Sequence, residues 1–141
     1  MAITTPAVYD LNSYMKSNSA VQTAAGKEIN FFPIIGYGDE NPPFVVYSYL
    51  PNIPSLEAFW NRYDSVSYVI YDSNIDRMYQ ISEVFIDILS KGDEISQSNG
   101  VIGTDTRIYS TYFVDASVGE AIEKDGWFTM NLNFIIYYAS K

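Results

Sequence analysis

The chain contains no cysteine and no histidine. Their absence rules out a disulfide framework, a thiolate nucleophile, a Cys/His zinc set and an imidazole acid–base catalyst. Basic residues are also scarce, with 8 Lys and Arg against 17 Asp and Glu, for a formal charge of −9. Neutralising phosphates takes clustered Lys and Arg, so a conventional DNA- or RNA-binding domain is disfavoured. Long apolar runs are missing too, and no segment approaches the ~20 residues that carry a helix across a bilayer. The opening MAITTPAVYDLNSYMK lacks a basic segment leading into an apolar one. No secretory signal is read there, and the expectation is a soluble protein that starts in the cytoplasm without membrane contact.

What the chain has instead is aromatic weight. Of 141 residues, 13 are Tyr, 8 Phe and 2 Trp, within a composition that is 48% hydrophobic and 18% charged. That balance belongs to a folded chain, and the length to one domain over 1–141. Tyrosine suits strands and half-wet surfaces, including protein interfaces. There is no internal repeat, low-complexity tract or linker.

Periodicity divides the chain into elements. Val8, Leu11 and Met15 stand at helical spacing behind Pro6, which predicts a short N-terminal helix. SNSAVQTAAGKE reads as a break with a second turn of helix. INFFPIIGYG is β-leaning, and Pro33 assigns it to an edge or bulge. After a turn punctuated by Gly36, Gly38, Asn41, Pro42 and Pro43, the run Phe44 to Leu50 is a strand. SVSYVIYD is the next, with Val66, Tyr68 and Ile70 on one face. The main helix follows over about 73–91. Its stripe is Ile75, Met78, Ser82, Phe85 and Leu89, widened by Ile81, Val84 and Ile88. Asp72 or Ser73 is the expected N-cap, Ser73 and Asp76 have capping-box spacing, Lys91 falls in the last turn and Gly92 is the expected stop. Two long strands close the chain, near Thr106 to Ser117 and from Phe128 onward. In the second, Phe128, Met130, Leu132, Phe134, Ile136 and Tyr138 alternate with Thr129, Asn131, Asn133, Ile135 and Tyr137, the pattern of a half-buried antiparallel strand. The order predicts an α+β fold, a mostly antiparallel sheet with one main amphipathic helix and a short N-terminal helix packed on it.

Catalytic constellations are not found. The strand-to-helix switch at YVIYDSNIDRMY carries Asp72 and Asp76 where a phosphate would need open amides, with no glycine and only Arg77 nearby, so it reads as a capped turn. Without histidine, a serine nucleophile has only Lys as a base, and Ser90-Lys91 at a helix end is not a recognisable motif. Asp39-Glu40 and Asp93-Glu94 are paired acids, but both lie in Gly-rich turns and read as solvated charge. Neither has EF-hand spacing. The sequence therefore predicts no enzyme, no catalytic, cofactor-binding or metal-binding residue, and no cofactor. The partner-facing elements are instead the polar loops Gly38 to Pro43 and Gly92 to Gln97. In them, Asp39, Glu40, Pro42, Pro43, Asp93 and Glu94 are the candidate interface residues.

The element order and three segments carry a resemblance. PPFVVYSYL, the strand SVSYVIYD dropping straight into NIDRMYQISEVFIDILSKG, and the closing FTMNLNFIIYY together resemble the tail terminator (tail completion, neck) proteins of long-tailed bacteriophages. The resemblance spans nearly the whole chain and lies in patterning rather than in chemistry. It departs at the long connection Pro51 to Tyr63 and at the long final hairpin. It implies a virion protein of the tail or neck, assembled in the host cytoplasm into a homo-oligomeric ring, usually of six subunits. Such a ring caps the head-proximal end of the tail tube and ends its polymerisation. Its implied partners are the tail tube protein, the head–tail connector or neck proteins and, in a contractile tail, the sheath, with DNA passing through the ring without specific binding. Two other classes stay open: a different virion or secretion-apparatus adaptor, such as a head-closure or sheath-capping subunit, and a small-ligand-binding α+β domain.

Overall fold

The computed structural model describes residues 7–33, 41–52, 62–91, 101–102, 106–120 and 127–140. They form α1 (Ala7–Ser17), α2 (Ser19–Ala25), β1 (Phe31–Pro33), β2 (Phe44–Asn52), β3 (Arg62–Asp72), α3 (Ile75–Leu89), β4 (Val101–Ile102), β5 (Thr106–Glu120) and β6 (Phe128–Ser140). The strands make one six-stranded sheet in the order β1-β2-β3-β6-β5-β4. Every pairing is antiparallel except β1 with β2. The expected α+β class, with its largely antiparallel sheet and main helix, is what the chain adopts.

Alternation along β3 and β6 decides which face is the core. Val66, Tyr68 and Ile70 of β3 pair across to Phe134, Leu132 and Met130 of β6. All six are buried, with Ile136 and Tyr138 continuing the row. Against this face pack Val8, Leu11 and Met15 of α1, Val21 and Ala25 of α2, and Met78, Ile81, Phe85 and Leu89 of α3. The two N-terminal helices divide the work: α2 lies along α3, while α1 runs over the sheet and reaches β5 and β4. Ser82 enters the buried stripe of α3 because its hydroxyl donates back to the Met78 carbonyl at 2.8 Å, leaving no unpaired polar group. Ile75, expected in that stripe, is exposed at the rim of the first turn.

The ends of α3 differ from the capping expected. Asn74, not Asp72 or Ser73, is the N-cap, and its side chain accepts from the Arg77 amide at 3.1 Å. Ser73 is exposed, so the Ser73/Asp76 box is not used. Asp72 stays in β3, two residues too early to cap, and accepts from the Asn74 amide instead. At the other end the helix stops at Leu89 with Ser90 as its cap, so Lys91 lies beyond the last turn. Gly92 is outside the described residues. At α2, Asn18 caps the start and Gly26 ends the helix at φ +76°, the left-handed conformation that glycine adopts without a Cβ clash.

Candidate interaction surface

Several polar groups buried on the core side join in separate local pairs, whereas the buried Thr111 hydroxyl makes no hydrogen bond among the described residues. Tyr68 donates its hydroxyl to Asn12 Oδ1 at 2.6 Å, and Tyr138 donates to Asp64 Oδ1 at 3.2 Å. Asp10 accepts from both the amide and the hydroxyl of Thr106, tying α1 to the start of β5. Asp72, fully buried, takes a bidentate fork from Arg77, with Nε at 2.8 Å and Nη2 at 2.6 Å. That fork raises the Arg77 pKa, and the chain's own carboxylate occupies the helix N-terminal corner. Burial pushes the Tyr68 hydroxyl well above the ordinary phenol range, with a smaller contribution from Tyr47. Among the described residues no group of three or more Asp and Glu is placed to hold a metal ion. Sequence reasoning missed Asp64 because it began the strand at Ser65. One residue earlier, Asp64 has the parity of Val66 and Tyr68 and so points inward.

The other face of the sheet is different in kind, and no described helix packs on it. Its centre is a row of short polar side chains. The Ser67 hydroxyl lies 2.7 Å from Asn133 Oδ1 and 3.0 Å from Asn131 Oδ1, and Asn133 Nδ2 donates to Asp115 at 2.5 Å. This row crosses β3, β6 and β5 in register. At one end of it Tyr137 packs against Tyr63 at 5.2 Å and edge-on to Tyr112 at 5.8 Å. At the other end Phe44 stacks on Tyr71 at 5.0 Å and meets Trp127 edge-on at 5.7 Å. Phe44 is thereby fully buried, although it faces away from the main core. The face is thus half-wet and aromatic at both ends, with fixed hydroxyl and amide groups between. Such a surface is suited to broad contact with another protein, where tyrosine supplies area and a polar tip together.

Tyrosine is shared between the two faces by parity alone. Tyr47 and Tyr49 of β2 point to the helical side and meet Tyr9 of α1 edge-on at 6.4 and 6.2 Å. Burial raises the pKa of both hydroxyls, and Tyr9 adds to the rise.

Of the six candidate interface residues, Asp39, Glu40, Asp93 and Glu94 lie outside the described residues. Pro42 is half-buried, and Pro43 is buried at the foot of β2, joined to Pro42 by a cis peptide bond. Pro43 therefore belongs to the packed interior, because it leads directly into a strand whose first residue, Phe44, is itself covered. The sequence pointed to this surface only in general terms, through tyrosine-bearing strands suited to contact area. The signal available was the second register of β6, in which Asn131, Asn133, Ile135 and Tyr137 mix amides with large side chains.

No protein-family model matches the chain, and no curated protein matches it. Among solved structures, the chain is similar to a chain in the virion of a native gene transfer agent (GTA) particle. The match has a TM-score of 0.63 and 11% sequence identity, and covers 94% of this chain and 94% of that one. At that identity the likeness is one of fold, and it extends over nearly the full length of both chains.

Proposed function

We propose that this protein is a structural component of a phage-like virion, and within that class a tail terminator: a ring that caps the head-proximal end of the tail tube and joins it to the connector. The observation that carries the reading is the full-length fold similarity to a chain of a gene transfer agent virion. The tyrosine-bearing sheet face that no described helix covers supports it, since a ring subunit must hold its neighbours and a tube at once. The anionic surface supports it as well: a conduit for DNA must not retain it, and a chain with charge −9 repels phosphate over most of its surface. On this reading the protein is not an enzyme, its partners are tube and neck proteins, and its place is the virion.

Closed cyclic symmetry with a head-to-tail interface is the way identical subunits surround a channel. Like-charged protomers repel on assembly, and salt screens that repulsion. Sedimentation velocity across a series of NaCl and Mg²⁺ concentrations, with and without tail tube protein, tests the proposal. The expected result is a discrete oligomer that grows with ionic strength and halts tube elongation. A monomer under every condition that neither binds nor caps tubes would remove the terminator reading.

A further inference from the structure

The two edges of the sheet have complementary steps. On one edge β1 covers only Val45 to Tyr47 of β2. On the opposite edge β4 covers only Arg107 and Ile108 of β5, and no described strand lies outside the rest of β5. Following the register across β2, β3, β6 and β5 puts the projecting β1 level with Ala116 to Val118, in the uncovered part of β5. The short strand β4 stands at the other end of its edge, past the level of Asn52. One edge therefore projects where the other is recessed.

Strand direction matches as well. Three antiparallel pairings separate β2 from β5, so β5 runs opposite to β2 and to its parallel partner β1. A second copy continuing the sheet would set its β1 against β5 in the antiparallel sense, with backbone bonds perpendicular to the strands. The recessed part of β5 also carries apolar surface that nothing described covers: Val114 is 51% and Val118 52% exposed. Val114 is the extra residue of a bulge, a feature that often marks a sheet edge. Beside β1 a groove of about 480 Å³, with Tyr9, Lys16, Phe31 and Tyr47 in its lining, offers an aromatic counterpart.

We infer that the β1 edge of one copy pairs with Ala116 to Val118 of β5 in the next, the segment that no described strand covers, and that this contact builds the oligomer. It uses two different surfaces of the same chain, so it propagates head to tail and closes into a ring where the rotation permits. It rests on the assembly reading above and names the surfaces that reading needs. It also explains how an edge strand this exposed is kept from indiscriminate pairing, since its natural occupant is another copy.

The absence of cysteine makes the test clean. Pro33 and Ala116 stand at the same level, are both exposed and share the helix-bearing side of the sheet. Opposed residues of an antiparallel pair have Cα separations that a disulfide spans. The double variant Pro33→Cys/Ala116→Cys, oxidised under assembling conditions, is expected to give a crosslinked ladder on a non-reducing gel that ends at the ring size and collapses to monomer on reduction, whereas each single variant stays uncrosslinked. Val118→Lys, with folding checked by circular dichroism, is expected to raise the protein concentration needed for assembly by about tenfold or more, because an edge lysine blocks strand pairing. If the unmodified protein assembles but the double variant does not crosslink, or Val118→Lys leaves assembly unchanged, the edge contact is wrong and the ring survives. If the unmodified protein is monomeric throughout, both fall together.

Discussion

Replacing Phe134 by alanine probes the core most directly. The side chain is fully buried in β6 and makes ring contacts with Phe113 at 5.6 Å and Tyr68 at 6.2 Å. Tyr68 in turn meets Phe31 and Phe85, so the ring belongs to an aromatic cluster linking β1, β3, β5, β6 and α3. Truncation removes transfer energy and leaves a cavity among rigid rings that collapse poorly, so the loss is expected at about 3–5 kcal/mol. The adjacent Ile135 faces the opposite side and is half-buried, so Ile135→Ala should cost about 1–2 kcal/mol, roughly half the fully buried value. Urea unfolding followed by far-UV circular dichroism reads both. With a slope of about 2 kcal/mol per molar urea, the midpoint falls by about 1.5–2.5 M for Phe134→Ala and by less than about 1 M for Ile135→Ala. Measurements belong at concentrations where the midpoint no longer depends on protein, since assembly would stabilise the folded state. Equal shifts, or a larger one at Ile135, would refute the assignment of faces, because a one-residue slip exchanges every inward and outward side chain of the strand.

The hydroxyl of Tyr68 gives a pH test. Its pKa is raised in the folded state, so its stabilising contribution is complete below the unfolded tyrosine pKa of about 10 and is lost as pH rises beyond it. Thermal melts should fall above about pH 10 in the parent protein. In Tyr68→Phe that fall should flatten, although the variant starts about 1–3 kcal/mol lower because Asn12 loses its partner. Arg77→Met should cost about 2–4 kcal/mol at pH 7 by stranding the buried Asp72 carboxylate, and addition of Asp72→Asn should recover part of the loss in a double-mutant cycle. Duplex DNA should show no micromolar binding at physiological salt in a gel-shift titration, and salt-sensitive binding there would overturn the conduit reading.

Where an element is half-buried along its whole length, its own sequence determined both its type and its inward face. In β6 the alternation from Phe128 to Tyr138 separates core from surface residue by residue, and in α3 Met78, Ile81, Phe85 and Leu89 recur on one helical face. Desolvation acts on each side chain separately, so its record is written locally and can be read locally. The same holds for Pro33, whose missing amide hydrogen confines it to an edge before any partner strand is known. Partner choice was decided only by the tertiary structure. Nothing in FFP announces a parallel pairing with β2, and nothing in the closing strands orders the sheet β1-β2-β3-β6-β5-β4. Capping went the same way: Asp72, Ser73 and Asn74 all have acceptors, and Asn74 became the cap because Asp72 was drawn into β3 and taken by Arg77. Tyrosine shows the divide most plainly. Tyr68 and Tyr71 are the same residue three positions apart, yet one is sealed against Asn12 beneath a helix and the other stacks on Phe44 across the open face. Residue type sets what each ring is able to do, whereas strand parity and the layer packed above it decide which ring becomes core and which becomes contact surface.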